Sequence, residues 1–279
     1  MTARVADDVA LGVRRVTAPN PSAMTGAGTQ SYLVGSGDVV VVDPGPDDEA
    51  HLGCLVGEDV RYVLVTHDHD DHAAGARALA RRCGAILLGP PGRPGREPDG
   101  VLADGDVVAV PGWRLSVLAT PGHSARDVCY LLEAEPGSSP GSGRLLFSGD
   151  LVLGGSSTVV AAPDGDMALY LASLERLVAL EPAVDVVAPG HGPLLAAGRA
   201  AIAGQLAHRR RREQEVLAAL GRRGRATVAE IAAAVYPTVA SGLADAAQLQ
   251  TWAHLRKLVE DGSVTTLDPD DRTATFALA

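Results

Sequence analysis

Along the first two thirds of the chain, short apolar runs alternate with polar, glycine-containing breaks. SYLVG and DVVVVD come first, followed by VRYVLV, WRLSVLA, YLLEAE, RLLF and VDVVA. Unbroken apolar runs of this length predict strands covered on both faces. The covering helices are expected over Asp48–Val56, Ala74–Arg82 and Met167–Leu180. In the last of these, Leu171, Leu174, Leu177 and Val178 recur at helical spacing. The outline is an α+β fold in helix–sheet–sheet–helix layers. Two stretches have loop composition. GPPGRPGREPDG (Gly89–Gly100) is expected either to border a substrate site or to be a solvated connector, and PGSSPGSG (Pro136–Gly143) reads as a flexible hairpin tip.

Beyond His191 the pattern turns helical. Ala200–Leu220 predicts a long helix with a stripe of Ile202, Leu206, Val216, Leu217 and Leu220. Thr227, followed three residues later by Glu230, reads as the cap of a helix over Val228–Val235. A third helix is expected over Leu243–Asp261, stopped by Gly262. SVTTL and TATFAL then flank DPDDR as a hairpin. Three helices and a two-stranded wing predict a winged-helix module, dividing the chain into residues 1–198 and 199–279.

Composition narrows the function. The net charge of −10 is uneven: 13 Arg against 25 acids gives −12 over residues 1–198, and 11 bases against 9 acids gives +2 over the remainder. An acidic whole argues against non-specific nucleic-acid binding and leaves room for a local basic patch in the C-terminal part. No apolar run is long enough to span a membrane, and MTARVADDVA carries no secretory core. Cys54, Cys83 and Cys129 form no CxxC pair and read as reduced residues of a cytoplasmic protein.

The chemistry concentrates where strands end. THDHDDHAAG packs His67, Asp68, His69, Asp70, Asp71 and His72 into six consecutive positions that suit neither a comfortable helix nor a strand. Their mutual repulsion is removed if a divalent cation binds. TPGHS adds His123, FSGD adds Asp150 and PGHG adds His191, each just after an apolar run. Imidazole and carboxylate suit zinc or iron, and seven such ligands are enough for two ions. Two ions can lower the pKa of a shared water enough to supply hydroxide near neutral pH.

With these motifs in place, the chain resembles the metallo-beta-lactamase superfamily, whose fold is an αββα sandwich. NPSAMTGAGTQSYLVG, SGDLVLGGSSTVV, MALYLASLERLVAL and HRRRREQEVLAAL extend the resemblance to the beta-lactamase-like protein 2 group, which pairs a glyoxalase-II-like catalytic domain with a winged helix. The resemblance implies that His67, His69 and His123 hold one metal, that Asp71, His72 and His191 hold a second, and that Asp150 bridges them. Asp71 is also the catalytic carboxylate of the set. Two Zn²⁺ are the implied cofactors, with Mn²⁺ or Fe²⁺ as substitutes. Asp43, ending DVVVVD, matches a position that supports the ligands from behind; capping of its own turn is the equal alternative.

The implied activity is metal-dependent hydrolysis. Single-stranded RNA is the first expected substrate, as in an endoribonuclease of the group, and a thioester or other small-molecule ester is the alternative. Asp150 stands where two-zinc β-lactamases usually carry Cys, which argues against β-lactams. A winged-helix regulator is the third reading, and specific DNA binding is not expected, since the third helix sets Arg256 and Lys257 against Asp245, Glu260 and Asp261. Asp68 and Asp70 are expected to face solvent or pair with Arg. The Arg209–Arg212 run reads as a solvated, acid-paired face, His208 and His254 as structural, and Trp252 as core. The module is expected to pack beside the active-site mouth or to mediate a homodimer.

Overall fold

The computed structural model describes residues 7–56, 59–135, 137 and 143–279. The expected hairpin tip at 136–143 therefore lies, apart from Gly137 and Gly143, outside the described residues. One sheet runs in chain order through β1 (Asp7–Ala10), β2 (Val13–Thr17), β3 (Gln30–Val34), β4 (Val39–Val42), β5 (Val60–Leu64), β6 (Ile86–Gly89) and β7 (Gly100–Val101). It is antiparallel as far as β4 and parallel from there on. The second sheet comprises β8 (Val107–Val110), β9 (Trp113–Ala119), β10 (Val128–Ala134), β11 (Arg144–Gly149), β12 (Val186–Pro189) and β13 (Leu195–Ala196), in the reverse order across the sheet. Only β11 and β12 pair in parallel there.

The unbroken apolar runs are explained by two cores meeting at each central strand. In β4, Val40 and Val42 face the other sheet, while Val39 and Val41 pack under the outer helices. In β10, Val128, Tyr130 and Leu132 face inward, while Cys129 and Leu131 face the opposite helix layer. Those layers are α1 (Glu49–Leu55) and α3 (Ala76–Cys83) on one side, with α2 (Asp70–Ala73) between them in sequence, and α4 (Met167–Val178) and α5 (Gly198–Arg223) on the other. The helix–sheet–sheet–helix outline is thus present. The histidine motif departs from expectation, because its second half does form one helical turn, α2, with His69 at the cap.

The C-terminal part contains α6 (Val228–Val235), α7 (Ala244–Glu260) and a small sheet of β14 (Arg225–Thr227), β15 (Val264–Thr265) and β16 (Thr275–Leu278). Thr227 and Glu230 make the reciprocal cap that their spacing predicts. β14 is an addition to the expected hairpin and pairs with β16. Helix α5 belongs to two cores at once: Ile202 and Leu206 pack on the sandwich, while Val216 and Leu220 pack in the winged-helix core. No helix among the described residues is long and apolar enough to cross a membrane.

Candidate metal centre

All seven residues singled out at strand ends converge. His67 and His69 follow β5, Asp71 and His72 lie on α2, His123 follows β9, Asp150 follows β11 and His191 follows β12. They form three overlapping groups: His67, His69 and His123; His67, His72 and Asp150; and Asp71, His72 and His191. Within each group the ligand-type atoms lie within 4.8 Å of one another. Two tyrosines of the inter-sheet core tie down the loops. Tyr130 Oη donates to Val65 O at 2.6 Å, and Tyr32 Oη donates to Pro189 O at 2.8 Å. The backbone of Gly190 runs so close that a Cβ there would lie 2.5 Å from His72 Cε1 and 2.6 Å from Asp150 Oδ1.

Hydrogen bonds behind the cluster fix which ring nitrogens face inward. His123 Nδ1 lies 2.8 Å from Val159 O, which can only accept, so Nδ1 carries the proton and Nε2 presents its lone pair. His72 Nδ1 likewise donates to Asp43 Oδ2 at 2.9 Å. Thr66 Oγ1 gives its proton to Asp43 at 2.8 Å, so it accepts from His67 Nδ1 at 3.0 Å. Asp43 therefore orients two histidines and also accepts from Thr66 N at 2.8 Å, which is the supporting role expected of it.

The consequence is a set of lone pairs aimed at one another. His67 Nε2 and His123 Nε2 lie 3.0 and 3.1 Å from His69 Nδ1. One proton on His69 can satisfy only one of them, whereas a cation satisfies all three. A metal with nitrogens at about 2.0–2.1 Å in tetrahedral array has ligand–ligand edges of about 3.3 Å, near the separations found. Asp150 Oδ1 is buried without a hydrogen-bond partner, 3.3 Å from His72 Nε2 and 3.4 Å from His191 Nε2. Its Oδ2 lies 3.7 Å from His123 Nε2. One carboxylate thus spans both halves of the cluster.

The halves differ electrostatically. Burial pushes His67 and His69 below the ordinary imidazole value. Burial is the largest single effect at His72 and His191 and acts the same way, but the carboxylates together outweigh it, Asp150 with Asp43 at His72 and Asp150 with Asp71 at His191. His72 rises well above the usual value and His191 to about 9. The acid-rich half therefore favours a positive charge, which a metal ion supplies more fully than a proton. The donor set fits divalent ions.

Around the cluster, Asp70 pairs with Arg93 and Arg96, and Asp68 accepts from Arg93 N at 2.9 Å. The Gly89–Gly100 loop thus backs the histidine motif, and none of its residues is among those lining the cavity described next. That cavity, of about 530 Å³, opens over His69, Asp71, His123, Asp150 and His191. Its far wall comes from the C-terminal helices through His208, Arg209, Arg212, Tyr236 and Gln250. Two expectations are corrected here. His208 is a cavity residue rather than a purely structural one, and the Arg209–Arg212 run is not one solvated face, since Arg209 is 1% exposed. The missed signal is positional: Arg209 falls seven residues after Ile202 and seven before Val216, on the apolar stripe itself. His254 is buried as expected, and Trp252 packs half-buried at the edge of the winged-helix core.

A family model described as the metallo-beta-lactamase superfamily matches residues 24–191, and one described as the beta-lactamase associated winged helix domain matches residues 227–272. A beta-lactamase-like protein 2 homolog of Caenorhabditis elegans is 30% identical over 266 residues, covering 90% of this chain and 85% of the relative. An atrochrysone carboxyl ACP thioesterase of Paecilomyces divaricatus is 32% identical over 272 residues, covering 90% and 81%. The crystal structure of a beta-lactamase domain protein from Burkholderia ambifaria superposes with a TM-score of 0.81 at 25% identity, over 99% of this chain and 94% of that one. With matched motifs, sandwich and winged helix all in register, this chain belongs to the metallo-beta-lactamase superfamily, whose members are hydrolases.

Proposed function

We propose that the protein is a two-metal hydrolase of small acyl thioesters or esters, with zinc as the resident ion. Residues 1–198 would serve as its catalytic domain, and the winged-helix-like residues 199–279 as the far wall of its active site. The observation that carries this reading is the cavity: its size suits one small molecule, and its lining includes the apolar Met24, Leu153, Val159, Val239, Leu243 and Ala247. The relative named as an ACP thioesterase, alike over most of both chains, supports the same bond class.

His67, His69 and His123 would hold one ion and Asp71, His72 and His191 the other, with Asp150 between them. When bound, the pair supplies Lewis acidity toward a carbonyl oxygen and an activated water. Asp43 holds a proton on His72 Nδ1, so the inward nitrogen is the one that gives way to a metal, and Val159 O fixes the Nδ1 proton of His123 in the same way. Asp71 has 31% of its side chain exposed, against 13% for Asp150. It is therefore the carboxylate able to take the proton of the attacking water and return it to the leaving thiolate. Water adds to the acyl carbon, the C–S bond breaks, and acid and thiol leave.

The RNA reading draws support from Arg209 and Arg212 in the cavity lining, yet these cations lie in a cavity wall rather than along an exposed track. A regulator has less support still: Arg256 is paired with Asp270, and Lys257 with Glu213 and Asp261. The test is a parallel assay of zinc-loaded protein on acyl thioesters, lactones and single-stranded RNA, with and without chelator. Chelator-sensitive thioester turnover is expected. Cleavage of RNA with no thioester turnover would overturn the proposal.

A further inference from the structure

Resting on the hydrolase reading, we infer that the part of the cavity wall built by the C-terminal helices is a subsite for a single anionic group, carboxylate or phosphate, carried by the substrate. Arg209, Arg212 and Gln250 form it.

The first observation is an unbalanced charge. Arg209 is 1% exposed, and among the described residues no carboxylate lies within ion-pair distance of it. Its neighbour Arg210, by contrast, pairs with Glu175 on the surface. The Arg209 guanidinium is steadied by the carbonyl of Thr158 and by the ring of Tyr170, 5.2 Å away, and neither carries a negative charge. A buried charge without a counter-charge is costly, so such a residue persists where something compensates it.

The second observation is a surplus of donors. Arg209 Nε, Arg212 Nε and Gln250 Nε2 are all buried without a hydrogen-bond acceptor, and all three residues line the same cavity. Gln250 is oriented by its other end, since Oε1 accepts from Val160 N at 3.1 Å and leaves the NH₂ unused. Guanidinium nitrogens can only donate. Arg212 pairs with Glu215 through another nitrogen at 2.6 Å, and the three idle donors call for an acceptor-rich anion. The same cavity also presents the carboxylates Asp71, Asp150 and Asp164. The cavity lining thus combines acidic groups of the candidate metal centre, cationic groups of the C-terminal helices and apolar side chains.

This arrangement describes a substrate: an acyl group whose reacting carbonyl sits at the metals, an apolar spacer, and one anion at the far end. A sphere of the cavity's volume is about 10 Å across, so both ends belong to one small molecule. It also assigns the C-terminal module a role, because α5 and α7 contribute the anion-binding donors. A polynucleotide fits less well, as its many phosphates need an exposed row of cations.

Equilibrium binding to the zinc-loaded full chain tests the subsite without relying on turnover. The probes are straight-chain monocarboxylates, the matching α,ω-dicarboxylates from glutarate to sebacate, and the matching ω-phosphonocarboxylates. One carboxylate occupies the metal end in every case, and only the second anion reports on the far wall. The expected result is that a doubly charged probe of suitable length binds at least about tenfold more tightly than its monoanionic counterpart. Comparison of the carboxylate and phosphonate series tells which anion the wall prefers. Arg209→Gln should reduce the advantage to near unity. Arg212→Gln should reduce it several-fold, with circular dichroism establishing the fold because Arg212 also pairs with Glu215 and donates to Val235 O. Equal affinity for singly and doubly charged probes overturns the subsite, as does an advantage that survives both variants. Displacement of the probes by single-stranded RNA at lower concentration than by any dicarboxylate also overturns it. Absence of thioester turnover with the dianion preference intact would overturn only the bond class.

Discussion

Replacing Asp43 by Asn changes one atom and tests whether the buried carboxylate sets the tautomer of His72. Asp43 is 2% exposed and accepts from three donors: Thr66 N, Thr66 Oγ1 and His72 Nδ1. In the variant, an amide oxygen kept toward Thr66 N puts the NH₂ where Oδ2 was. It then donates to His72 Nδ1 and drives the ring proton to Nε2, the atom that faces the cluster. If the amide flips, His72 is served and the NH₂ meets Thr66 N–H, leaving a buried donor pair unsatisfied at about 1–3 kcal/mol. Either way the inward lone pair becomes expensive. Loss of such a supporting partner typically lowers metal affinity by about 10–100-fold, or about 1.4–2.7 kcal/mol. The assay is competitive zinc titration against a chromophoric chelator, with circular dichroism to establish folding. One metal should bind with wild-type affinity or close to it, the other 10–100-fold more weakly, and kcat should follow the second. A folded variant that takes up both ions with unchanged affinity would refute the tautomer argument.

Three further outcomes are expected. Asp150→Ala removes the carboxylate shared by the two halves and should lower kcat by at least about a hundredfold, since each 1.4 kcal/mol costs about tenfold; a folded variant with two metals and near-normal turnover contradicts the shared role. Gly190→Ala places a methyl against His72 and Asp150 and should cost about 1–3 kcal/mol of stability together with one metal; urea denaturation and elemental analysis on one preparation check both. Asp127 is held at about 6 chiefly by burial, against the opposing pull of His123 and Ser124. Its folded value lies above its unfolded value, so its contribution to stability is complete at low pH and falls as pH rises from about 4 to about 6. Asp127→Asn should therefore flatten the pH dependence of the urea midpoint in that window and gain about 2–3 kcal/mol relative to wild type above it. An unchanged slope would show that the burial is not felt.

The layered fold and the seven clustered residues were legible because each rests on a local signal. DVVVVD reads as a strand with two covered faces, and Val39 to Val42 do alternate between two cores. His123, Asp150 and His191 each follow an apolar run directly, and strand order then brings the run ends together. The one-turn helix Asp70–Ala73 was not legible, because Asp-Asp-His-Ala has no apolar periodicity and its shape follows from the packing of His72 against Asp43. β14 was hidden for a similar reason: three residues, Arg225–Thr227, become a strand only because β16 lies beside them. The far wall of the cavity was the largest omission. A run of four arginines reads as surface, and only the position of Arg209 on the stripe of α5 marks it as buried. Which donors remain idle there depends on contacts across tens of residues, such as Gln250 with Val160.

Helix α5 has a consequence for how the molecule can come apart. Because Ile202 and Leu206 sit in the sandwich and Val216 and Leu220 in the winged-helix core, one rigid rod is a structural member of both. Severing the chain before α5 would strip a covering helix from the β-sheet, and severing it after α5 would take the longest helix from the terminal module. The two parts are thus modular in what they contribute to the site but coupled in their unfolding, and melting should show one cooperative transition rather than two. For recombination between relatives, the workable crossover lies inside the rod, just after Leu206, and an exchange there swaps the wall built by the C-terminal helices while leaving the seven clustered residues as they were.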